Sequence, residues 1–276
     1  MNREKERVRF LSRAADRPQR RFSRGVSLLP SLFTMANLFC GYACVVYATR
    51  GEYETAAPFI GFAIVLDMLD GRIARLTGTS TDFGLQFDSL ADVISFGIAP
   101  AILSFGWGLA PLGRLGWAAG FVFVTAAAMR LARFNIQSPG GGDKRYFAGM
   151  PSPAAAAIPA STVFFYPAGV SDYRAALPAL AMVLVPAVLM VSTIRFRSFK
   201  TIDLQIRRPY TVLLLIAGAI MLITTHPRFV IVAMSYAYLA SAFIGMAVTR
   251  FRHRGGHAAS EQSVSPATPT HDGIGL

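Results

Sequence analysis

Apolar stretches long enough to cross a hydrocarbon layer of about 30 Å recur along almost the whole chain. They lie near 29–49, 55–76, 86–108, 115–135, 151–169, 174–194, 209–226 and 229–249. In lipid a segment of that length satisfies its backbone N–H and C=O groups internally only as a helix or in a closed barrel. The unbroken apolar runs, rather than alternating ones, predict an all-α polytopic membrane protein with about eight transmembrane helices. Composition agrees, because 53 % of the 276 residues are hydrophobic and 15 % are charged, against about 25 % charged in soluble domains. Pro151, Pro153, Pro159 and Pro167 blur the limits of the fifth and sixth segments.

The basic residues test this topology independently. With the N-terminus cytoplasmic and eight crossings, the tail before residue 25 falls on the cytoplasmic side, with Arg72, Arg75, Arg130, Arg133, Lys144 and Arg145. Arg195, Arg197, Lys200, Arg207, Arg208, Arg250, Arg252 and Arg254 fall there too, and only Arg50, Arg114, Arg174 and Arg228 fall opposite. That asymmetry is what the positive-inside rule expects. The net charge of +12 is thereby directed at anionic lipid headgroups rather than at nucleic acid. Segment 1–28 carries Val8, Phe10, Leu11 and Phe22 among its arginines and reads as a basic interfacial segment, interrupted at Pro18. No cleavable signal peptide is expected. The stretch 251–276 begins basic and then, rich in Ser, Pro, Thr and Gly, reads as disordered.

Cys40 and Cys44 are expected as small packing residues of the first span. His226, His253, His257 and His271 form no ligand cluster, so histidine catalysis has little support.

The chemistry concentrates in DMLDGRIARLTGTSTDFGLQFDSLAD, Asp67 to Asp92. Asp67 and Asp70 are three apart and Asp88 and Asp92 four apart, so each pair shares one side of a helix. The turn-forming TGTSTDFG between them lets two antiparallel helix ends bring the pairs together. Asp82 falls in that turn and is expected at the surface. Four carboxylates at a membrane boundary repel one another unless cations compensate them, and oxygen-only ligation suits Mg2+ or Mn2+. Gly71, Ala74 and Gly84 leave room beside the acids, and Arg75 is placed to meet a phosphate or carboxylate. A metal-dependent enzyme acting on a pyrophosphate-containing substrate suits this pattern; an ion path in a carrier, or structural ion pairs, are the alternatives.

Asp70, Gly71, Ala74, Arg75, Gly84, Asp88 and Asp92 match DGxxAR(x8)GxxxDxxxD at every position, with Asp67 three residues ahead. On these residues the chain resembles the CDP-alcohol phosphotransferase family. PSLFTMANLFCGY, RLARFN, YFAGMPSPAAA and VSTIRFRSFK resemble the bacterial phosphatidylserine synthase branch of it. The resemblance implies a six-helix catalytic core over 29–194, a basic cytoplasmic loop over 195–208 and two additional transmembrane helices over 209–250. It implies transfer of a phosphatidyl group from CDP-diacylglycerol to L-serine with release of CMP, on the cytoplasmic side of a bacterial inner membrane, by a homodimer. Related acceptors are glycerol 3-phosphate, inositol phosphate and choline.

The same resemblance implies roles by position. Asp67, Asp70 and Asp88 would hold two metal ions, Mg2+ or Mn2+, with Asp92 near them as general base. Gly71 and Ala74 would admit the cytidine, Arg75 would approach the nucleotide phosphates, and Thr34, Asn37 and Gly84 would shape the CDP-lipid site. Arg130 and Arg133 are candidates for the acceptor, with Arg195, Arg197 and Lys200 as rivals.

Overall fold

The structure, a computed structural model, describes residues 28–77, 81–137, 146–192 and 195–197, together with 217, 221–222, 224–241 and 243. Helix α1 (Leu28–Thr49) and helix α2 (Tyr53–Thr77) form a hairpin. Its turn closes with Arg50 N and Glu52 N both donating to Tyr47 O, and Gly51 takes φ +79° there. The two helices pack along each other and bury Cys40, Cys44 and Ala48 of α1 with Ala56, Ala57, Ile60 and Ala63 of α2. Small side chains let backbones approach closely, which is how helices gain packing energy in lipid. The cysteines are therefore packing residues, as expected.

Helix α3 (Asp82–Leu112) is the longest among the described residues, at 31 residues. It starts at Asp82 rather than near 86, because the Thr81 hydroxyl caps it by accepting from Gly84 N at 3.0 Å. Asp82 is exposed in the first turn, where a carboxylate is favoured by the helix dipole. Two π turns, Ile94–Ile98 and Phe105–Leu109, interrupt α3. Gly113, at φ +56°, reverses the chain into helix α4 (Arg114–Gln137).

Helix α5 (Ser152–Phe165) is shorter than the expected 151–169. Its 14 residues rise about 21 Å, well short of a bilayer core. Pro151 and Pro153 set its start, as N-terminal prolines do. Pro167 disfavours helical geometry at Tyr166, and the Trp107 indole donates to the freed Tyr166 carbonyl at 2.7 Å. Helix α6 (Tyr173–Val191) follows, capped by the Asp172 carboxylate on the Arg174 and Ala175 amides.

One departure from the all-helical expectation is a two-stranded antiparallel ladder, β1 (Tyr146–Ala148) with β2 (Arg195–Arg197). The stretch expected as a basic loop from 195 thus opens as a strand. Helix α7 (227–241) is the last continuous helix among the described residues and covers most of the expected eighth segment. The seventh segment, Lys200, and the segments 1–27 and 244–276 fall largely or wholly outside the described residues.

Among the described residues four helices are long and apolar enough to cross a membrane: Ser31–Thr49, Asp82–Leu112, Arg114–Ile136 and Tyr173–Val191. The chain is an all-α, multi-pass membrane protein in all but its three-residue strands. Helix α2 falls outside that set because Asp67, Asp70, Arg72 and Arg75 crowd its C-terminal end.

Candidate metal and active site

Up-and-down connectivity brings five helix ends together: the starts of α1, α3 and α5 and the ends of α2 and α4. Asp67 and Asp70 come from α2, and Asp88 and Asp92 from α3. One carboxylate oxygen from each of Asp67, Asp88 and Asp92 lies within 4.8 Å of the others. Asp70 stands beside this trio, in electrostatic contact with Asp67, Asp88 and Asp92. Its Oδ2 accepts from the Thr34 hydroxyl at 2.6 Å.

Helix α1 supplies two orienting side chains, one turn apart. Thr34 is bonded to Asp70, and the Asn37 amide nitrogen donates to Asp92 Oδ1 at 3.2 Å. Both are buried. They were expected to shape a CDP-lipid site; their hydrogen bonds here go to two of the carboxylates. The Asn37 backbone carbonyl in turn accepts from the Ser95 hydroxyl at 3.0 Å. Ser95 lies in the first π turn of α3, three residues after Asp92, and π turns frequently mark functional sites. Close approach here requires Gly41, since a Cβ at that position would stand 2.8 Å from Ser95 Cα.

The carboxylate trio suits a divalent cation. Fully ionised oxygens near 5 Å repel by roughly 3 kcal/mol per pair at an effective dielectric of ~20, so three such pairs rival the stability of a whole domain, about 5–15 kcal/mol. Asp88 Oδ1 is buried and has no hydrogen-bond partner among the described residues. A buried anionic oxygen without a donor calls for a cation. The all-oxygen donor set fits Mg2+ or Mn2+.

A family model described as CDP-alcohol phosphatidyltransferase matches residues 27–193. The chain belongs to this family. It is 38 % identical over 185 residues to the CDP-diacylglycerol–serine O-phosphatidyltransferase of Helicobacter pylori, covering 65 % of this chain and 76 % of that protein. It is 35 % identical over 144 residues to the enzyme of the same name from Mycobacterium leprae, covering 51 % and 48 %. Against the archaetidylserine synthase of Methanothermobacter thermautotrophicus it is 35 % identical over 170 residues, covering 61 % and 69 %. Membership in a transferase family makes the chain an enzyme and sets aside the carrier reading.

The remaining candidates of this CDP-alcohol phosphatidyltransferase divide by position. Gly71 is helical and half-buried one residue beyond Asp70; Gly84 is half-buried and serves the Thr81 cap. Ala74 and Arg75 lie on the last turns of α2, and their side chains fall outside what is described. Arg130 reaches the site: it interacts electrostatically with Asp92 and Asp67 and its Nη1 donates to Ser152 Oγ at 3.0 Å. Arg133 turns instead towards the C-terminal end of α6, its Nη1 donating to the Val191 carbonyl at 3.4 Å, where a cation complements the helix dipole. Arg195 and Arg197 are placed on β2 by their backbone alone, and Lys200 is outside the described residues.

Sequence reasoning did not single out Ser95 or Ser152. Each meets a partner distant in the chain, Asn37 and Arg130 respectively, and only Ser152, inside MPSP, sat in a segment already marked as family-like.

Proposed function

We propose that this chain is a CDP-diacylglycerol–serine O-phosphatidyltransferase, moving the phosphatidyl group of CDP-diacylglycerol to the hydroxyl of L-serine and releasing CMP. The observation that carries the reading is the carboxylate trio of Asp67, Asp88 and Asp92, with Asn37 holding Asp92. The names of the relatives support the choice of serine.

Asp67, Asp70, Asp88 and Asp92 would hold Mg2+ or Mn2+, in all two ions. Cations held there would polarise the pyrophosphate and offset the charge gathering on its oxygens. Asp92 takes the proton from the serine hydroxyl, aimed by the Asn37 amide. The serine oxygen attacks the phosphorus that bears diacylglycerol, the bond from that phosphorus to the CMP oxygen breaks, and CMP leaves carrying the electron pair. Direct displacement is preferred because, among the described residues, no side chain at the site stands out as a covalent nucleophile. Gly71 and Ala74 give the cytidine access to α2, Gly84 keeps the start of α3 slim, and Arg75 approaches the nucleotide phosphates. Arg130 receives the acceptor carboxylate.

In this reading the six-helix core spans 29–194, two further helices follow over 209–250, and 1–28, 195–208 and 251–276 are cytoplasmic. The active site faces the cytoplasm of a bacterial inner membrane, so lipid tails stay in the leaflet while serine and CMP exchange with water. The working form is a homodimer.

CMP release by purified protein in detergent micelles, with and without Mg2+ or Mn2+, tests the reaction. A panel of L-serine, glycerol 3-phosphate, inositol phosphate and choline tests the acceptor. Phosphatidylserine formed in step with CMP is expected; turnover with another acceptor and none with L-serine contradicts the assignment.

A further inference from the structure

Two polar stripes meet where α1 packs against α3. Thr34, Asn37 and Gly41 stand at i, i+3 and i+7 on α1, and Asp88, Asp92 and Ser95 at i, i+4 and i+7 on α3. Asn37 is held by α3 at two points. Its amide nitrogen donates to Asp92 Oδ1 at 3.2 Å, and its backbone carbonyl accepts from the Ser95 hydroxyl at 3.0 Å. Asn37 and Ser95 are both fully buried. The tie lies where the two helices come very close, since a Cβ on Gly41 would stand 2.5 Å from Ser95 Oγ.

The direction of the amide depends on this seating. Asn37 Oδ1 is buried with no hydrogen-bond partner among the described residues, so the amide points where the α1 backbone lets it point. Its bond to Asp92 already stands at the long end of the N–H···O range, about 2.7–3.2 Å. A slip of about 0.4 Å between the helices takes it to a length that no longer counts as a hydrogen bond. The Ser95 hydroxyl opposes that slip, because it fixes the backbone of the same residue from one turn further along α3. Ser104 makes the contrast: equally buried on α3, its hydroxyl donates to the Pro100 carbonyl at 2.6 Å, within its own helix. That bond joins no second helix.

We propose that Ser95 is a positioning residue for the transfer reaction: by fixing the Asn37 carbonyl it seats the Asn37 amide against Asp92, so that this carboxylate keeps one direction through turnover. The inference rests on the reading above, with Asp92 as proton acceptor, and deepens it. It gives the first π turn of α3, where Ser95 lies, a part in aiming the base.

Initial rates of CMP release are measured for wild type, Asn37→Ala, Ser95→Ala, the variant carrying both changes, and Ser104→Ala, varying L-serine and CDP-diacylglycerol separately. Ser95→Ala is expected to lower kcat about five- to tenfold, the effect of one hydrogen bond, with the KM for each substrate at its wild-type value. On top of Asn37→Ala it is expected to cost nothing further, because residues that act through one another are not additive. Ser104→Ala keeps the wild-type kcat. A wild-type kcat in Ser95→Ala, a change confined to KM, equal losses in Ser95→Ala and Ser104→Ala, or full additivity with Asn37→Ala overturns the role. If Ser95→Ala yields no folded protein by size exclusion, Ser95→Cys, with a weaker donor at the same place, goes through the same cycle and is judged by the same outcomes. Failure of the serine reading looks different: wild type then turns over with another acceptor and not with L-serine, and the cycle is run and judged on that acceptor. Failure of Asp92 as proton acceptor shows as normal turnover in Asp92→Asn, and overturns the role of Ser95 with it.

Discussion

Asn37 and Asp92 are 55 residues apart in the chain, and the amide nitrogen of one donates to Oδ1 of the other at 3.2 Å. An amide oxygen turned to a carboxylate would repel it, so the nitrogen-inward orientation is the one the pair accepts. The first helix thereby controls the direction of a carboxylate borne by the third. Removing the donor leaves Asp92 in place but unaimed. Asn37→Ala is expected to lower the rate of CMP formation about 10–100-fold, the usual cost of losing a partner that orients a catalytic or metal-binding group. Steady-state rates on purified protein, with yield from size exclusion as the control for folding, check this.

Asp88→Asn and Asp92→Asn both keep the shape of the side chain while removing charge. For Asp92 the proposed proton acceptor is lost, a change worth about 10²–10⁴ in rate. For Asp88 an oxygen of the trio is replaced. Both variants are expected to lose CMP formation with little loss of folded protein, because neutralising one member relieves repulsion within the cluster. Normal turnover in either purified variant removes the proposed role of that residue.

Gly41 and Gly61 make a paired test of packing. A Cβ at Gly41 would meet the Ser95 backbone, whereas one at Gly61 meets nothing within 4 Å. Alanine gains up to about 1 kcal/mol of helix propensity over glycine at either position. At Gly41 overpacking against a backbone atom, about 1–3 kcal/mol, outweighs it. Gly41→Ala is expected to lower the melting temperature and, by pushing α1 from α3, the activity with it; Gly61→Ala leaves both unchanged or slightly raised. Thermal unfolding in detergent followed by circular dichroism distinguishes them.

Much of the bundle was legible from residue order alone. Apolar length located α1 to α4 and α6, and the three- and four-residue spacings put Asp67 with Asp70 and Asp88 with Asp92. What was not legible depends on contacts between distant parts of the chain. Nothing in ISFGI or FGWGL marks a π turn, because apolar periodicity is blind to a local change of hydrogen-bond register. The early stop of α5 reflects Pro167 together with the Trp107 indole, a residue 59 positions from the carbonyl it binds. The pairing of Tyr146–Ala148 with Arg195–Arg197 joins three-residue stretches too short to show alternation. Thr34 and Asn37 were picked out, but their attachment to Asp70 and Asp92 required the helices to be packed. Arg130 and Arg133 look alike in RLARFN; their separation into a residue facing the site and one closing the end of α6 comes from where Ser152 and Val191 fall.

The proposed reaction rests on capture of a divalent cation by the Asp67, Asp88 and Asp92 carboxylates. Electron paramagnetic resonance of Mn2+ titrated into purified, chelator-treated protein reads that capture without substrate or turnover. Wild type is expected to broaden and deplete the free Mn2+ signal at stoichiometric protein, with competition by Mg2+, while Asp67→Asn and Asp88→Asn leave most of the ion free. A free-ion signal in wild type as large as in these two variants, at all protein concentrations, contradicts the account.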